Sequence, residues 1–186
     1  MKTHVRMPLN SHPVGGHILS APDQFDSYSW HDNAIHGFRI VEGPDGCSGE
    51  LILDIDFIAE WLPPQNESNA FQFRIAPADL TFHEVTELVI SVDYALCSAA
   101  LQPMTIHEIH REAVTYPNGY SSFAWQIEVN WPRNSFISFR APGFTQALRA
   151  EPIASGAQYL LPSLRKRYDL QPGAQPRSLL SLDAAR

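Results

Sequence analysis

The strongest strand signal in the chain is the stretch Phe123-Ala124-Trp125-Gln126-Ile127-Glu128-Val129-Asn130-Trp131. Large apolar residues occupy every second position, which is the pattern of a half-buried β-strand. Turn sequences flank it: residues 116–120 contain an Asn-Gly pair, and residues 132–134 are Pro-Arg-Asn. Asn-Gly tolerates positive φ angles and favours tight hairpins. This stretch therefore predicts the best-defined strand of the chain, which the turn at 132–134 connects to the next strand.

Shorter segments with the same alternation lie on both sides. We predict strands over 35–42, 49–58, 71–75 and 135–140, and a further strand over 144–148 after the break at Pro142-Gly143. A long loop is expected over 59–69, and Pro77 is expected to stop the strand that begins at Phe71. Residues 80–94 fit either a short helix capped by Asp79 or two strands around a turn at 83–87, and the β-branched run favours strands. The predicted fold class is mainly β: an antiparallel sandwich or open barrel with at most one or two short helices.

The register of the first hairpin follows from its apolar residues. Antiparallel partners share a face, so Phe38 should pair with Leu53 and Ile40 with Leu51 on the inner face. The same register places His36 near Ile55 on the inner face. It places Arg39 near Ile52 and diagonally close to Asp54 on the outer face.

Composition and sequence pattern indicate how the chain is divided and which partners are disfavoured. The predicted parts are an N-terminal arm (1–28), a single β domain (29–167) and a loosely ordered C-terminal tail (168–186), with a short helix near 159–167. The net charge of −7 disfavours binding to nucleic acid, and the basic cluster 165–167 is typical of a solvated element end. Cys47 and Cys97 are expected to be free thiols. The sequence shows no signal-peptide pattern and no apolar run long enough to cross a membrane, so we expect a cytoplasmic protein that binds no membrane.

One group of polar residues could carry chemistry. Trp30, His31, Asp32 and His36 precede or open the first predicted strand, and the carboxylates of residues 54 and 56 share one face of the second. Two carboxylates beside imidazoles could bind a divalent cation or perform acid–base catalysis. The alternative is structural: Asp32 caps a turn, and Asp54 and Asp56 face solvent beside Arg39. The predicted register favours the structural alternative because it sends His36 to the opposite face, and we expect no metal and no cofactor.

The remaining motifs are weaker. His107 and His110 would share a face in a helix but point apart in a strand, and their neighbours favour a strand. The spacing is one residue short of the H-E-x-x-H zinc motif. His83, at a predicted turn, indicates nothing alone. Trp61 lies beside Pro63-Pro64 on the predicted loop, and its aromatic ring suits either core packing or an anchor in a protein interface.

Three segments together resemble a bacterial family. They are Trp30-His31-Asp32-Asn33 followed by Ile35, the run 49–56 (GELILDID), and the apolar positions between Phe82 and Ile90. The pattern resembles uncharacterised bacterial β-rich proteins, some of them similar to immunity proteins that neutralise secreted toxins. The resemblance spans roughly 29–140 and implies a binding role, with no catalytic residues to transfer.

These features support one leading hypothesis and two rivals. The leading hypothesis is a non-enzymatic protein-interaction module that binds a protein partner or associates with itself. The first rival is a metal-dependent enzyme or small-ligand binder. Its site would be formed by His31, Asp32, His36, Asp54 and Asp56. The second rival is a β domain whose interior holds an apolar ligand.

Overall fold

The fold is that of a computed structural model, which describes residues 22–43, 46, 48–64, 70–95 and 101–165. Within these ranges a 3-10 helix covers Pro22–Ser27, and a four-residue α-helix, α1, covers Pro162–Arg165. Nine strands account for most of the rest: β1 Ala34–Glu42, β2 Gly49–Leu62, β3 Gln72–His83, β4 Thr86–Ser91, β5 Met104–Thr115, β6 Ser121–Trp131, β7 Ser135–Ala141, β8 Gly143–Leu148 and β9 Ile153–Ser155. The sequence 1–21, the predicted tail 168–186 and both cysteines lie outside the described residues.

All nine strands form one antiparallel sheet with the order β4-β7-β6-β5-β1-β2-β3-β8, and β9 pairs with β3 on the same edge as β8. The sheet curls back on itself, because rings from distant strands meet. The Phe82 ring on β3 lies 4.6 Å from that of Phe139 on β7 and 5.0 Å from that of Trp125 on β6. The β4-β7-β6-β5 half thus faces the β1-β2-β3-β8 half across an aromatic core. The predicted fold class, mainly antiparallel β with short helices only, is confirmed.

The β1–β2 register is confirmed, with Phe38 opposite Leu53 and Ile40 opposite Leu51. The burial of β1 was predicted wrongly, because Phe38 and Ile40 are exposed while their partners are fully buried. The described pairing of β1 with β5 is limited to Ala34 and its neighbour. Beyond Ile35, β1 has only β2 as a described neighbour in the sheet, so no strand on its other side helps to cover Phe38 and Ile40.

Two predicted boundaries in the β2–β3 hairpin are wrong. Strand β2 continues to Leu62 through a bulge at Ala59, and β3 runs straight through Pro77. The Pro77 carbonyl accepts a hydrogen bond from the Arg149 amide on the β8 side. The Pro77 nitrogen points to the same side, beyond the last residue of β8. The N–H that proline lacks would therefore have had no partner in the hydrogen-bond ladder of the sheet. Residues 80–94 form strands, as favoured, but β4 pairs with β7 across the core.

A second, smaller apolar cluster lies on the outer face of the β1-β2-β3-β8 half. Ile58, Phe73 and Ile75 pack there against Leu160. The segment 156–165 therefore crosses this outer face after β9, and its helix α1 brings Arg165 into the interior. The other end of the described chain enters the main core, because Phe25 and Tyr28 pack against it. No helix within the described ranges has the length and apolar character to span a membrane.

Candidate functional site

The structure divides the predicted polar group into two places. His36, Asp54 and Asp56 lie under the segment 156–165, whereas His31 and Asp32 lie at the end of the sheet where β1 meets β5. The residues around the first place form what we call the charged cluster. Its members are His36, Asp54, Asp56, Asp79, Arg149 and Arg165.

The predicted separation of His36 from the carboxylates is wrong. A β-bulge between Ile35 and Gly37 leaves His36 without a partner residue in the ladder. The bulge redirects the imidazole to the outer face, where its Nε2 lies 2.9 Å from Asp56 Oδ2. Periodicity alone predicts strict alternation, so nothing in the sequence revealed this extra residue.

The prediction that both carboxylates face solvent is also wrong. Asp56 is fully buried. It accepts hydrogen bonds from the Leu160 amide, at 2.8 Å, and from Arg165 Nη1. Asp54 is half-buried and pairs with the guanidinium groups of Arg149 and Arg165. The two carboxylates are therefore occupied by cations of the chain itself, and this arrangement suits structural ion pairing.

Asp79 completes the charged cluster beside Asp54, its partner in the β2–β3 register. Arg39 Nη2 lies 3.6 Å from Asp79 Oδ2, and Arg149 Nε lies 3.6 Å from Asp79 Oδ1, too far for a hydrogen bond. Burial raises the pKa of Asp79, and Arg149 and Arg39 oppose that rise without cancelling it. Arg39 was thus correctly placed on the outer face, but its ionic partner is Asp79.

Sequence reasoning missed the two arginines that neutralise the carboxylates. Arg165 is buried, which contradicts its interpretation as part of a solvated basic end. Arg149 follows β8 directly, and no local pattern tied it to a residue 95 positions earlier. Only the order of the strands brings these residues together.

His31 and Asp32 lie in a separate place and contact each other. His31 Nδ1 lies 3.1 Å from Asp32 Oδ2. The Asp32 carboxylate also accepts hydrogen bonds from the side-chain amides of Asn130, at 3.1 Å, and Gln158, at 2.9 Å. The ring of His107 lies 5.6 Å from that of His31. Trp30 is buried in the main core, where its indole N–H donates to Gln146, so most of its surface serves packing.

His107 and His110 are on strand β5, as predicted. His110 lies between Glu108 and Glu128 at 3.5 and 3.7 Å. No group of three or more His, Cys, Asp or Glu side chains in the described ranges is arranged to hold a metal ion.

His83 has a more organised environment than the sequence indicated. Its Nδ1 lies 2.9 Å from Glu50 Oε1, and its Nε2 lies 3.0 Å from the hydroxyl of Thr145. The three residues come from three adjacent strands, β2, β3 and β8, and share the outer face. Both ring nitrogens are thus engaged, which orients the imidazole.

Trp61, the last candidate, lies near the end of β2. Its ring makes edge contacts with those of Phe73, at 5.0 Å, and Phe71, at 6.3 Å. It was placed on a loop by the sequence, and the extension of β2 to Leu62 corrects that. Trp61 and Phe71 are both exposed.

Comparisons of the chain with models of protein families, with curated proteins and with solved structures find no significant match.

Proposed function

We propose that this chain is a protein-interaction domain that docks a basic partner on Trp61 and Phe71, near the end of β2 and just before β3. The observation that carries the proposal is the pair Trp61 and Phe71, whose residues are 43% and 51% exposed although their rings touch. We call this pair the aromatic tip. Large aromatic side chains are the commonest anchors of protein interfaces.

The aromatic tip has a rigid support. The Trp61 ring packs on Phe73, which is buried with Ile58 and Ile75 in the second apolar cluster. Cross-strand pairing of Trp61 with Phe73 also fixes the backbone on which the indole stands. A side chain held in place before binding loses little entropy when a partner covers it, so such a residue suits an anchor.

Charge indicates the chemistry of the partner. The chain carries a net charge of −7, and exposed Glu60 precedes Trp61 directly. Arg74, which is opposite Glu60 in the register, donates a hydrogen bond to the Pro152 carbonyl at 3.2 Å. The net negative charge of the chain favours a partner with a positive surface, because complementary potentials speed encounter and suppress wrong partners. The resemblance to toxin-immunity proteins supports the same kind of role.

The test places a photo-crosslinking amino acid at Phe71 in the full chain and identifies the crosslinked protein from the source cells. The affinity of that protein is then measured for the wild type and for a Trp61→Ala/Phe71→Ala double variant. Tyr120→Ala is the matched control, because Tyr120 is 44% exposed at the end of a different hairpin.

We expect a basic partner whose binding weakens at least tenfold in the double variant, weakens with added salt, and is unchanged in the control. Unchanged affinity in the double variant, or equal loss in the control, would overturn the proposal. Crosslinking only to a second copy of the chain, confirmed as a dimer by light scattering, would replace the basic partner with self-association.

A further inference from the structure

His83 lies between a carboxylate and a hydroxyl group on the outer face of the sheet. Its Nδ1 is 2.9 Å from Glu50 Oε1, and its Nε2 is 3.0 Å from the Thr145 hydroxyl. A hydroxyl, an imidazole and a carboxylate in this order are the arrangement that activates the nucleophile of many hydrolases. Glu50 is near the start of β2 and Trp61 is near its end, so these three residues are separate from the aromatic tip.

The carboxylate decides which nitrogen of the imidazole carries the proton. An ionised carboxylate only accepts hydrogen bonds, so the Nδ1 that faces Glu50 carries a proton and donates to Oε1. In the neutral imidazole Nε2 then holds a lone pair, so the Thr145 hydroxyl donates to it. This is the protonation pattern of a nucleophile bound to its general base.

Three adjacent strands hold these side chains in place. The register puts Glu50 of β2 beside His83, and it puts Thr145 on β8 two residues from Gly143, the partner of His83 on that strand. Only 14% of the His83 side chain and 17% of the Glu50 side chain are exposed, so water competes weakly for the bond between them. Groups held by strands are positioned more precisely than groups on loops, as catalysis requires.

Space for a substrate lies over Gly143. This glycine is on the same outer face as the Thr145 hydroxyl, and no side chain fills its position. Apart from its chain neighbours, no described atom lies within 4 Å of the point that a Cβ at Gly143 would occupy. An acyl group can therefore reach the Thr145 hydroxyl beside the imidazole. The opening corresponds to one missing side chain, which suits a short acyl group.

The edge position of β8 supplies a main-chain donor. The Arg149 amide donates to the Pro77 carbonyl of β3. Amides alternate in direction along a strand, so that of Gln146, an odd number of residues earlier, points away from β3. Within the described ranges no strand pairs with β8 on that side. The amide that follows a nucleophile is a common donor to the oxyanion formed in acyl transfer.

We propose that Thr145, His83 and Glu50 form a catalytic site that hydrolyses esters of short acyl groups through an acyl-threonine intermediate. Thr145 Oγ forms a bond to the ester carbonyl carbon while His83 Nε2 takes the hydroxyl proton. The tetrahedral intermediate, whose oxyanion accepts from the Gln146 amide, breaks the bond to the leaving alcohol, which takes the proton from His83. Water then attacks the acyl carbon by the same route, which releases the carboxylic acid and restores the hydroxyl. Glu50 is the positioning residue for the imidazole and stabilises its charged form.

The experiment measures the release of p-nitrophenolate from p-nitrophenyl acetate by the full chain. The variants are Thr145→Val, which removes the hydroxyl at nearly constant volume, and His83→Gln. Thr81→Val is the control for the first, because Thr81 is opposite Thr145 in the register. His110→Gln is the control for the second, because it removes an exposed imidazole on β5 and so measures the nonspecific reaction of surface histidines with the ester.

We expect turnover to fall by about tenfold or more in Thr145→Val and in His83→Gln, and to be unchanged in the two controls. The doubly substituted Thr145→Val/His83→Gln chain should lose no more than either single variant, because residues that act as one unit are not additive. Thr145→Ser should retain activity, because serine supplies the same hydroxyl. Mass spectrometry of chain quenched during turnover should find an acetyl group on Thr145.

The positioning residue has its own test. Glu50→Gln should lower kcat and leave KM unchanged, because the carboxylate acts on the imidazole in the transition state and does not touch the ester. Glu50→Asp should recover part of kcat, since it restores a carboxylate. A role of Glu50 in the fold alone would predict no difference in kcat between these two variants once both are shown to be folded.

Several results would overturn the proposal. One is a wild-type rate no greater than that of Thr145→Val. Another is a loss in Thr81→Val or His110→Gln as large as the loss in the variant that each controls. A third is an acetyl group found only on residues other than Thr145. Circular dichroism of each variant establishes that the fold is intact, and a folded but inactive Thr145→Ser chain would also overturn the proposal.

Discussion

Carboxylates on the outer faces of the two halves of the sheet have opposite environments: those on one half are covered and paired with arginines, and those on the other are exposed and face each other. On the β1-β2-β3-β8 half, Asp54 and Asp56 pair with arginines beneath the segment 156–165. On the β4-β7-β6-β5 half, Glu108 and Glu128 are direct cross-strand partners, and 61% and 42% of their side chains are exposed. The basic side chain beside them is His110, whose Nε2 lies 3.5 Å from Glu108 Oε2 and 3.7 Å from Glu128 Oε1.

The contrast shows how a covering segment changes the free-energy cost of leaving an acidic side chain unpaired. Burial raises the free-energy cost of every unpaired charge, so the covered face needs a cationic partner for each carboxylate. Water screens the exposed glutamates, so two of them can stand opposite each other at a small cost. Stability should therefore depend strongly on the charges of one face and weakly on those of the other.

The largest expected effect is that of Asp56→Ala. The substitution leaves Arg165 Nη1, the Leu160 amide and His36 without their common acceptor. Breaking a buried ion pair from one side costs about 3–5 kcal/mol. Urea unfolding should show this loss in the free energy of unfolding, and hydrogen exchange should show faster exchange of the Leu160 amide.

The control for this substitution is Glu112→Ala on the exposed face, which we expect to change the free energy of unfolding by no more than about 0.5 kcal/mol. Equal losses in the two variants would remove the distinction between the faces. A loss below about 1 kcal/mol for Asp56→Ala would mean that segment 156–165 is held by its apolar contacts alone.

A smaller effect concerns Asp79 and its dependence on pH. Burial raises the pKa of Asp79 above its ordinary value of 3.8, so the folded chain holds this proton more tightly than the unfolded chain. The group therefore contributes most to stability at low pH, and that contribution falls as the pH rises through the folded-state pKa. Asp79→Asn abolishes this dependence because the amide does not titrate.

The measurement compares the free energies of unfolding of the wild type and Asp79→Asn from pH 7 down to pH 4. The difference should move in favour of the wild type as the pH falls, and at pH 7 the variant should lose less than Asp56→Ala does. A difference that moves against the wild type on acidification would mean that Arg149 and Arg39 outweigh burial at this site.

The sequence predicted the strands well and the charged cluster poorly, for a physical reason. Alternation is a local property, so Phe123–Trp131 and the Phe38–Leu53 register could be deduced from neighbouring residues. Strand ends depend on what lies beside the strand, which is why Pro77 and Ala59 did not end β3 and β2. The pairing of Asp56 on β2 with Arg165 depends on how the seven strands from β3 to β9 return the chain to β2. A one-residue bulge at His36 decides which face its imidazole occupies. No local pattern contains either fact.

The smallest expected effect tests the exposed face directly. Glu128→Gln removes the like-charge pair with Glu108, and opposite like charges on neighbouring strands cost about 0.2–1 kcal/mol. The variant should be more stable than the wild type by an amount in this range at low salt, as measured by urea unfolding. At about 1 M salt the Debye length is near 3 Å, so the gain should vanish. A gain that persists at high salt would show that the effect is not electrostatic, and a loss of stability would show that Glu128 contributes through its contact with His110. Either result would mean that the free energy of unfolding depends on the charged residues of this exposed face more than their exposure indicates, as it does on the covered face.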